Sequence, residues 1–187
     1  MTTFTSPHGA DRATADPPPK WSAEFAPIWT CGGSTYATSV DFMISVREIG
    51  EGETALGAAA MLGLRPRWKT ADAVANLIDT RLRPAGYRLV GAFESSGEPA
   101  VAVVGFRESW SASWGHNVYV DDLFTVPDAR GSGHADRLMR WVKDEAHRLG
   151  CEVVHLDSGV NLDRAPAHRL YMRHRMAITA HHFSVEV

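Results

Sequence analysis

Two short stretches of this 187-residue chain hold residue types whose spacing can do chemistry. The first is Arg130-Gly131-Ser132-Gly133-His134-Ala135, just ahead of a run with helical periodicity. Glycines there let the backbone approach a ligand closely, and a helix start offers unpaired N–H groups at its positive dipole end. That arrangement suits a phosphate or pyrophosphate. It is no Walker loop, because no Gly-Lys-Ser/Thr follows, and it lacks both the three-glycine dinucleotide pattern and a preceding βαβ unit. A purely structural turn is the plain alternative. The second stretch is Asp121-Asp122. Strand alternation puts them on opposite faces unless the strand is bulged. Asp122 then shares a face with Val118, Val120 and Phe124, and Asp121 with Tyr119, Leu123 and Thr125. A carboxylate there can accept a proton, attract a cationic substrate, or simply pair with an arginine such as Arg47 or Arg107.

The elements that position these residues follow from periodicity and punctuation. Phe42–Ile49 alternates loosely and reads as a first strand, broken by Gly50 and Gly52. Glu53–Leu64 reads as a helix ending at Arg65-Pro66, and Thr70 caps a second helix with Val74, Leu77, Ile78 and Leu82 on one stripe. Tyr87–Glu94 and Ala100–Glu108 form a hairpin about Ser95-Ser96-Gly97, and a third long strand runs over 117–126. After Pro127 and the glycine turn, Ala135, Leu138, Met139, Val142, Ala146 and Leu149 recur at helical spacing up to Gly150. Glu152–Leu156 reads as a strand, Asp163–His174 as a helix and Met176–Val187 as a terminal strand. The order implies a mixed α/β sheet in which the strands flanking the helix over 131–149 are parallel neighbours.

Composition limits the classes of function. Nineteen Lys plus Arg against 22 Asp plus Glu give a net charge of −3, without the basic footprint of a nucleic-acid binder. Two cysteines, Cys31 and Cys151, are too few for a disulfide framework and lack metal spacing. No run approaches a signal peptide or the apolar length of a membrane span, so a cytoplasmic protein with no membrane partner is expected. Residues 1–20 read as a disordered leader, 21–41 as an irregular arm and 42–187 as the folded domain.

Tyr119-Val120-Asp121-Asp122-Leu123-Phe124-Thr125-Val126-Pro127, followed by Arg130-x-x-Gly133-x-Ala135, resembles motif A of the GNAT acetyltransferases. Asn161…Ala167-His168-Arg169-Leu170-Tyr171 resembles their motif B. Leu64-Arg65-Pro66, Gly86-Tyr87-Arg88-Leu89, Gly105-Phe106-Arg107, Leu156-Asp157-Ser158-Gly159-Val160 and His182-Phe183 are similar to a bacterial subgroup, so the likeness runs from about Phe42 to the end. The resemblance implies a mostly antiparallel mixed sheet of six to seven strands flanked by helices, splayed between strands 4 and 5, with acetyl-CoA as co-substrate and no metal. It implies that the backbone of Leu123, Phe124 and Thr125 pairs with the pantetheine arm, one N–H polarising the thioester carbonyl. It places the pyrophosphate at the turn led by Arg130, on the N–H groups of Gly131, Ser132, Gly133, His134, Ala135 and Asp136, with His134 pointing near the phosphates or solvent. Asn161, Ala167 and His168 then line the other wall.

Tyr171 matches the family tyrosine that protonates the departing thiolate, a role suited to a phenol that is neutral at physiological pH. A core tyrosine on an amphipathic helix is the alternative. In resembling polyamine-type members an acidic residue at the Asp121 position serves as base; Asp121 is therefore preferred here, with Asp122 second. Arg175-Met176 departs from the pattern by replacing a glycine after the motif-B helix, which puts that turn in question. The short tail leaves an uncovered splay edge that a second subunit could complete, leaving room for a homodimer.

His155, His168, His174, His181 and His182 do not form a metal set, because their spacing scatters them. Trp68, Trp110 and Trp114 fall in loops able to line a pocket, Trp68 foremost because the GNAT layout sets its loop over the acceptor site, but ordinary packing is the better reading of each; Cys151 reads as an inert thiol. The expected function is transfer of an acetyl group from acetyl-CoA to a small-molecule amine by direct attack in a ternary complex, with a small cationic amine favoured. The alternatives are a protein lysine or N-terminal acetyltransferase, and a non-catalytic acyl-CoA-binding regulatory module.

Overall fold

Residues 44–187 are described by the computed structural model. The leader and arm expected over 1–41, Cys31, and the start of the first strand at Phe42 lie outside the described residues. The sheet has the order β1-β2-β3-β4-β5. Strand β1 (Ser45–Ile49) pairs antiparallel with β2 (Tyr87–Phe93), β2 with β3 (Ala102–Ser111), and β3 with β4 (Gly115–Thr125). Strand β5 (Val153–Leu156) runs parallel to β4. Helices α1 (Ala55–Leu64) and α2 (Ala71–Leu77) connect β1 to β2, α3 (His134–Leu149) connects β4 to β5, and α4 (Ala165–Arg173) follows β5.

Local signals account for these boundaries. The Thr70 hydroxyl accepts the Ala73 N–H at 3.1 Å, capping α2 as the sequence suggests. Past Leu77 the helix widens into a π turn (Ile78–Leu82) and tightens over Arg83–Ala85. The α3 helix stops at Gly150, whose φ of 76° lies in the left-handed region that glycine enters without a Cβ clash.

Alternation divides the core into two layers. Leu89 and Val103 face α1 and α2, packing with Ile49, Met61, Val74 and Ile78. Their neighbours Val90 and Val104 face α3, packing with Phe106, Val118, Leu138 and Val142. Both layers are fully desolvated, and each buried Leu, Ile or Val contributes on the order of 1.5–3 kcal/mol.

The strand count is five among the described residues, fewer than the six to seven expected, and the terminal strand is the difference. Residues 176–187 carry no regular structure, and Ile178, Phe183 and Val187 are exposed. A strand needs a ladder to join. Neighbouring β5 has only four half-buried residues, and the consecutive His181-His182 interrupts apolar alternation in the tail.

Candidate active site

The register of β3 against β4 shifts at one point: Phe106 pairs with Val120 and Gly105 with Asp122, leaving Asp121 as the extra residue of a bulge. The bulge changes which side chains share a face. Val118 and Val120 pack on the α3 side, whereas Asp122 and Phe124 face α1 and α2. Asp121 joins them there through Arg107, so the two carboxylates line one cavity instead of opposite faces. This corrects the face-sharing expected from unbroken alternation: Asp122 parts from Val118 and Val120, and Asp121 parts from Leu123, which packs toward α3.

Both aspartates are held by arginines. Arg107 grips Asp121 with two bonds, Nε to Oδ2 at 2.8 Å and Nη2 to Oδ1 at 2.6 Å, while Arg47 pairs with Glu53 instead. Asp122 is buried, accepting from Arg65 Nε at 2.8 Å and from the Tyr87 hydroxyl at 2.9 Å. Burial first, then the Asp122 charge, pushes the Tyr87 phenol well above its ordinary range, so it is a fixed donor. Arg65 also donates to the Asp121 carbonyl at 3.0 Å, tying the bulge to the end of α1. The cavity has a volume of about 490 Å³ and an apolar wall that includes Met61, Trp68, Val74 and Leu77. A shallower depression of about 140 Å³ continues along β3 and β4 past Arg107 and Tyr119. The bulge was not readable from the strand itself; its signal is Gly105 opposite, which leaves room for the Tyr87 ring.

Beside the aspartates the sheet opens. The β4–β5 ladder runs from Asn117/Val153 to Val120/Leu156 and stops, so, among the described residues, positions 122–125 of β4 pair only with β3. Among the described residues, the stretch Leu123–Thr125 thus has no strand on its β5 side and is able to receive an extended amide-bearing chain there. Past that edge the turn enters α3 with Gly131 at φ 87° and Gly133 at φ 81°. A β-carbon on Gly131 would meet nothing within 4 Å, so the approach is open. The first α3 hydrogen bond is Arg137 N–H to Gly133 O at 3.1 Å, which leaves the amides of His134, Ala135 and Asp136 ahead of the ladder. Arg130 ties the turn to β4 by donating to the Thr125 carbonyl at 3.2 Å. Gly131, Ser132 and Gly133 are exposed. These features fit a pyrophosphate joined to an amide-bearing arm.

One residue of the turn behaves otherwise than expected. His134 is fully buried, with Nε2 2.9 Å from Glu94 Oε1, and does not point toward phosphate or solvent. On the first turn of α3 its side chain leans inward over the sheet, so only its backbone N–H remains at the turn. Asp136 bonds His174, the residue that ends α4, at 2.9 Å, which holds its carboxyl below the usual range. Across the opening, Asn161 is exposed before α4, Ala167 is half-buried, and His168 lies 2.8 Å from the Gly159 carbonyl and 3.2 Å from the Ser158 hydroxyl. Tyr171 is buried on α4 with Met139 and Leu170, against Leu123 of that edge. Burial raises its phenol, with Arg164 opposing in part. Tyr171 packs with Met139 of α3, whereas the aspartates line the cavity against α1 and α2.

Two other expectations meet the structure here. Trp68, for which ordinary packing is the better reading of the sequence, packs against the α1–α2 core and also lines the cavity. Arg175 takes φ 62°, filling the left-handed position after α4 without a glycine, and the turn closes through Met176 N–H to Tyr171 O at 3.0 Å. At the far end of β4, Glu108, His116 and Cys151 bring ligand-type atoms within 4.8 Å, a grouping the spacing of the later histidines did not suggest. No described helix is long and apolar enough to cross a membrane.

Solved structures share the fold at low identity. A ribosomal-protein-alanine N-acetyltransferase from Brucella melitensis biovar Abortus 2308 aligns with TM-score 0.63 and 18% identity, over 77% of this chain and 99% of that one. An aminoglycoside N-acetyltransferase, AAC(6')-Iy, in complex with CoA aligns with TM-score 0.64 and 14% identity, over 77% and 94%. A putative acetyltransferase from Agrobacterium tumefaciens str. C58 gives 0.62 and 19%, over 77% and 100%. Comparison with curated proteins returned no match. The model of the Acetyltransferase (GNAT) family matches residues 55–175, a span that runs from α1 through the bulged β4 and the glycine turn to the end of α4. The chain therefore belongs to the GNAT acetyltransferase family.

Proposed function

We propose that this protein transfers an acetyl group from acetyl-CoA to a primary amine of a small molecule, by direct attack in a ternary complex. The observation that carries this reading is the adjacency of the β4 edge at 123–125 to the cavity holding Asp121 and Asp122. One backbone feature suits the donor, the other the acceptor, and they share a strand.

The N–H groups of residues 131–136 bind the pyrophosphate, with Asn161, Ala167 and His168 on the facing wall. The backbone of Leu123, Phe124 and Thr125 holds the pantetheine arm and donates one N–H to the thioester carbonyl, where charge develops. Only a free amine attacks, so an ammonium must first lose a proton. Asp121 takes it directly or through water: Arg107 occupies one site on each of its oxygens, and an ionised carboxylate has about four. Asp122, buried between Arg65 and Tyr87, fixes the bulge and is the second candidate. As the new C–N bond forms and the C–S bond breaks, Tyr171 gives its proton to the departing thiolate, and the proton that the nitrogen sheds in becoming an amide passes to solvent, from which the phenol is restored.

A thiol-release assay with acetyl-CoA over a panel of amines tests this reading. Release that requires an amine and falls on Asp121→Asn or Tyr171→Phe supports it. Acetyl-CoA binding without release from any amine would favour a non-catalytic module.

A further inference from the structure

The cavity beside Asp121 and Asp122 also bears on which amine enters, an argument that rests on the acetyltransferase reading above. A polycationic acceptor requires carboxylates left over to pair with its several ammonium groups. Among the described residues none is left over here. Three guanidiniums among the described residues line the cavity, from Arg65, Arg67 and Arg107, against the two carboxylates of Asp121 and Asp122. Arg107 pairs with Asp121 and Arg65 with Asp122, so both acidic charges are matched within the wall. Arg67 makes no ion pair with any described residue, and its guanidinium lies 5.4 Å from the centre of the Trp68 ring. It is exposed in the short loop joining α1 to α2. The rim is thus neutral at the carboxylates and positive at Arg67, opposite in sign to the chain's net charge of −3.

The body of the cavity is apolar. Val74, Leu77, Ile78 and Leu82 of the α2 region form one wall and half-buried Trp68 another. About 490 Å³ is in the range of small-molecule pockets and exceeds what an ammonium on a short chain fills. A ligand complementary to such a space has one amine for the bulge, a bulky apolar or aromatic body for the α2 wall, and an anionic group for Arg67.

We propose that the acceptor is a free amino acid, or a close amino-acid-like zwitterion, with a large apolar side chain, whose carboxylate is read by Arg67 and whose side chain packs between Trp68 and α2. The small cationic amine suggested by the paired aspartates is displaced in this view, because their charge is already matched by Arg65 and Arg107. Arg67 and Trp68 are then residues that set specificity.

The test compares kcat/KM by thiol release for matched acceptors with saturating acetyl-CoA. Tryptophan and phenylalanine are set against tryptamine and phenethylamine, which lack only the carboxylate, and against spermidine and kanamycin as polycations. The amino acids are expected to exceed their decarboxylated partners by about tenfold or more, the value of a charge-assisted hydrogen bond. Arg67→Ala should bring that ratio to about one, and Trp68→Ala should raise KM for both members of each pair. Equal or better turnover of the bare amines or polycations overturns the acceptor class while leaving the acetyltransferase reading intact. So does an amino-acid preference that survives Arg67→Ala. The remaining failures separate likewise: release with amines of other classes but with no amino acid overturns the acceptor class alone, whereas no release from any amine, or no acetyl-CoA binding by calorimetry, overturns the underlying reading with it.

Discussion

The Tyr87 hydroxyl occupies the space that a side chain on Gly105 would fill: a β-carbon there would stand 1.7 Å from the phenol oxygen. Gly105 pairs with Asp122, and the same hydroxyl donates to Asp122 at 2.9 Å. A missing side chain on β3 therefore sets a donor from β2 against a carboxylate on β4, at the place where β4 bulges.

Gly105→Ala should displace the Tyr87 ring, with an overpacking cost of about 1–3 kcal/mol. Thermal unfolding checks the stability loss. A thiol-release assay should show turnover falling further than acetyl-CoA affinity, because the disturbance lies on the acceptor side. An unchanged melting temperature and rate would contradict the packing account.

Tyr171→Phe should lower kcat by about a hundredfold, in the range of general acid catalysis, with acetyl-CoA affinity nearly unchanged. Equal losses in both would assign Tyr171 to binding or packing. Burial raises the Tyr171 phenol, so the protonated, competent form persists through the ordinary tyrosine range. The kcat–pH profile is therefore expected to show no falling limb from this group below about pH 10.

Arg175 adopts a backbone conformation that costs a residue with a β-carbon on the order of 1 kcal/mol. Arg175→Gly should recover much of that and raise the melting temperature by about 2–4 °C, which differential scanning fluorimetry resolves. A lower melting temperature would mean that the Arg175 side chain contributes more than its backbone strain costs.

Glu145 on α3 receives Arg148 at 2.7 Å and Arg88 of β2 at 2.5 Å. The Arg148 bonds first, and those of Arg88 next, bring its carboxyl from the ordinary 4.5 down to about 2. A folded-state value below the unfolded one stabilises the fold above about pH 4.5, and the contribution is lost as pH falls through about 2. Urea-denaturation midpoints should decline across that window, and Glu145→Gln should be less stable at pH 6 with a shallower decline. Parallel pH curves for the two proteins would show that the pair is not linked to folding.

Periodicity carried most of the fold into view. The hairpin from Tyr87 to Glu108, the Thr70 cap and the helix after Gly133 each rest on local chemistry that tertiary packing did not override. The parallel pairing of β4 with β5 followed from the intervening helix. What escaped was decided by contacts between distant segments. The bulge at Asp121 depends on Gly105 and Tyr87, so no inspection of 117–126 alone places both aspartates on one face. The inward turn of His134 depends on Glu94 at the end of β2. The tail after Met176 has apolar residues suited to a strand but no ladder to join. The cationic side of the cavity was equally hidden, since Arg65 and Arg107 come from α1's end and β3 to meet the aspartates only in the folded chain.

Calorimetric titration with acetyl-CoA, on the wild-type protein and on Gly133→Val, probes the proposed pyrophosphate turn itself. Gly133 holds φ 81° beside the amides assigned to the pyrophosphate, and a branched side chain there is strained and crowds Arg137, 3.1 Å from the added β-carbon. The wild type should bind one acetyl-CoA per chain with micromolar affinity and the variant should lose that binding, with circular dichroism showing that both remain folded. Absence of binding to the wild type, or undiminished binding to a folded Gly133→Val protein, would contradict that assignment.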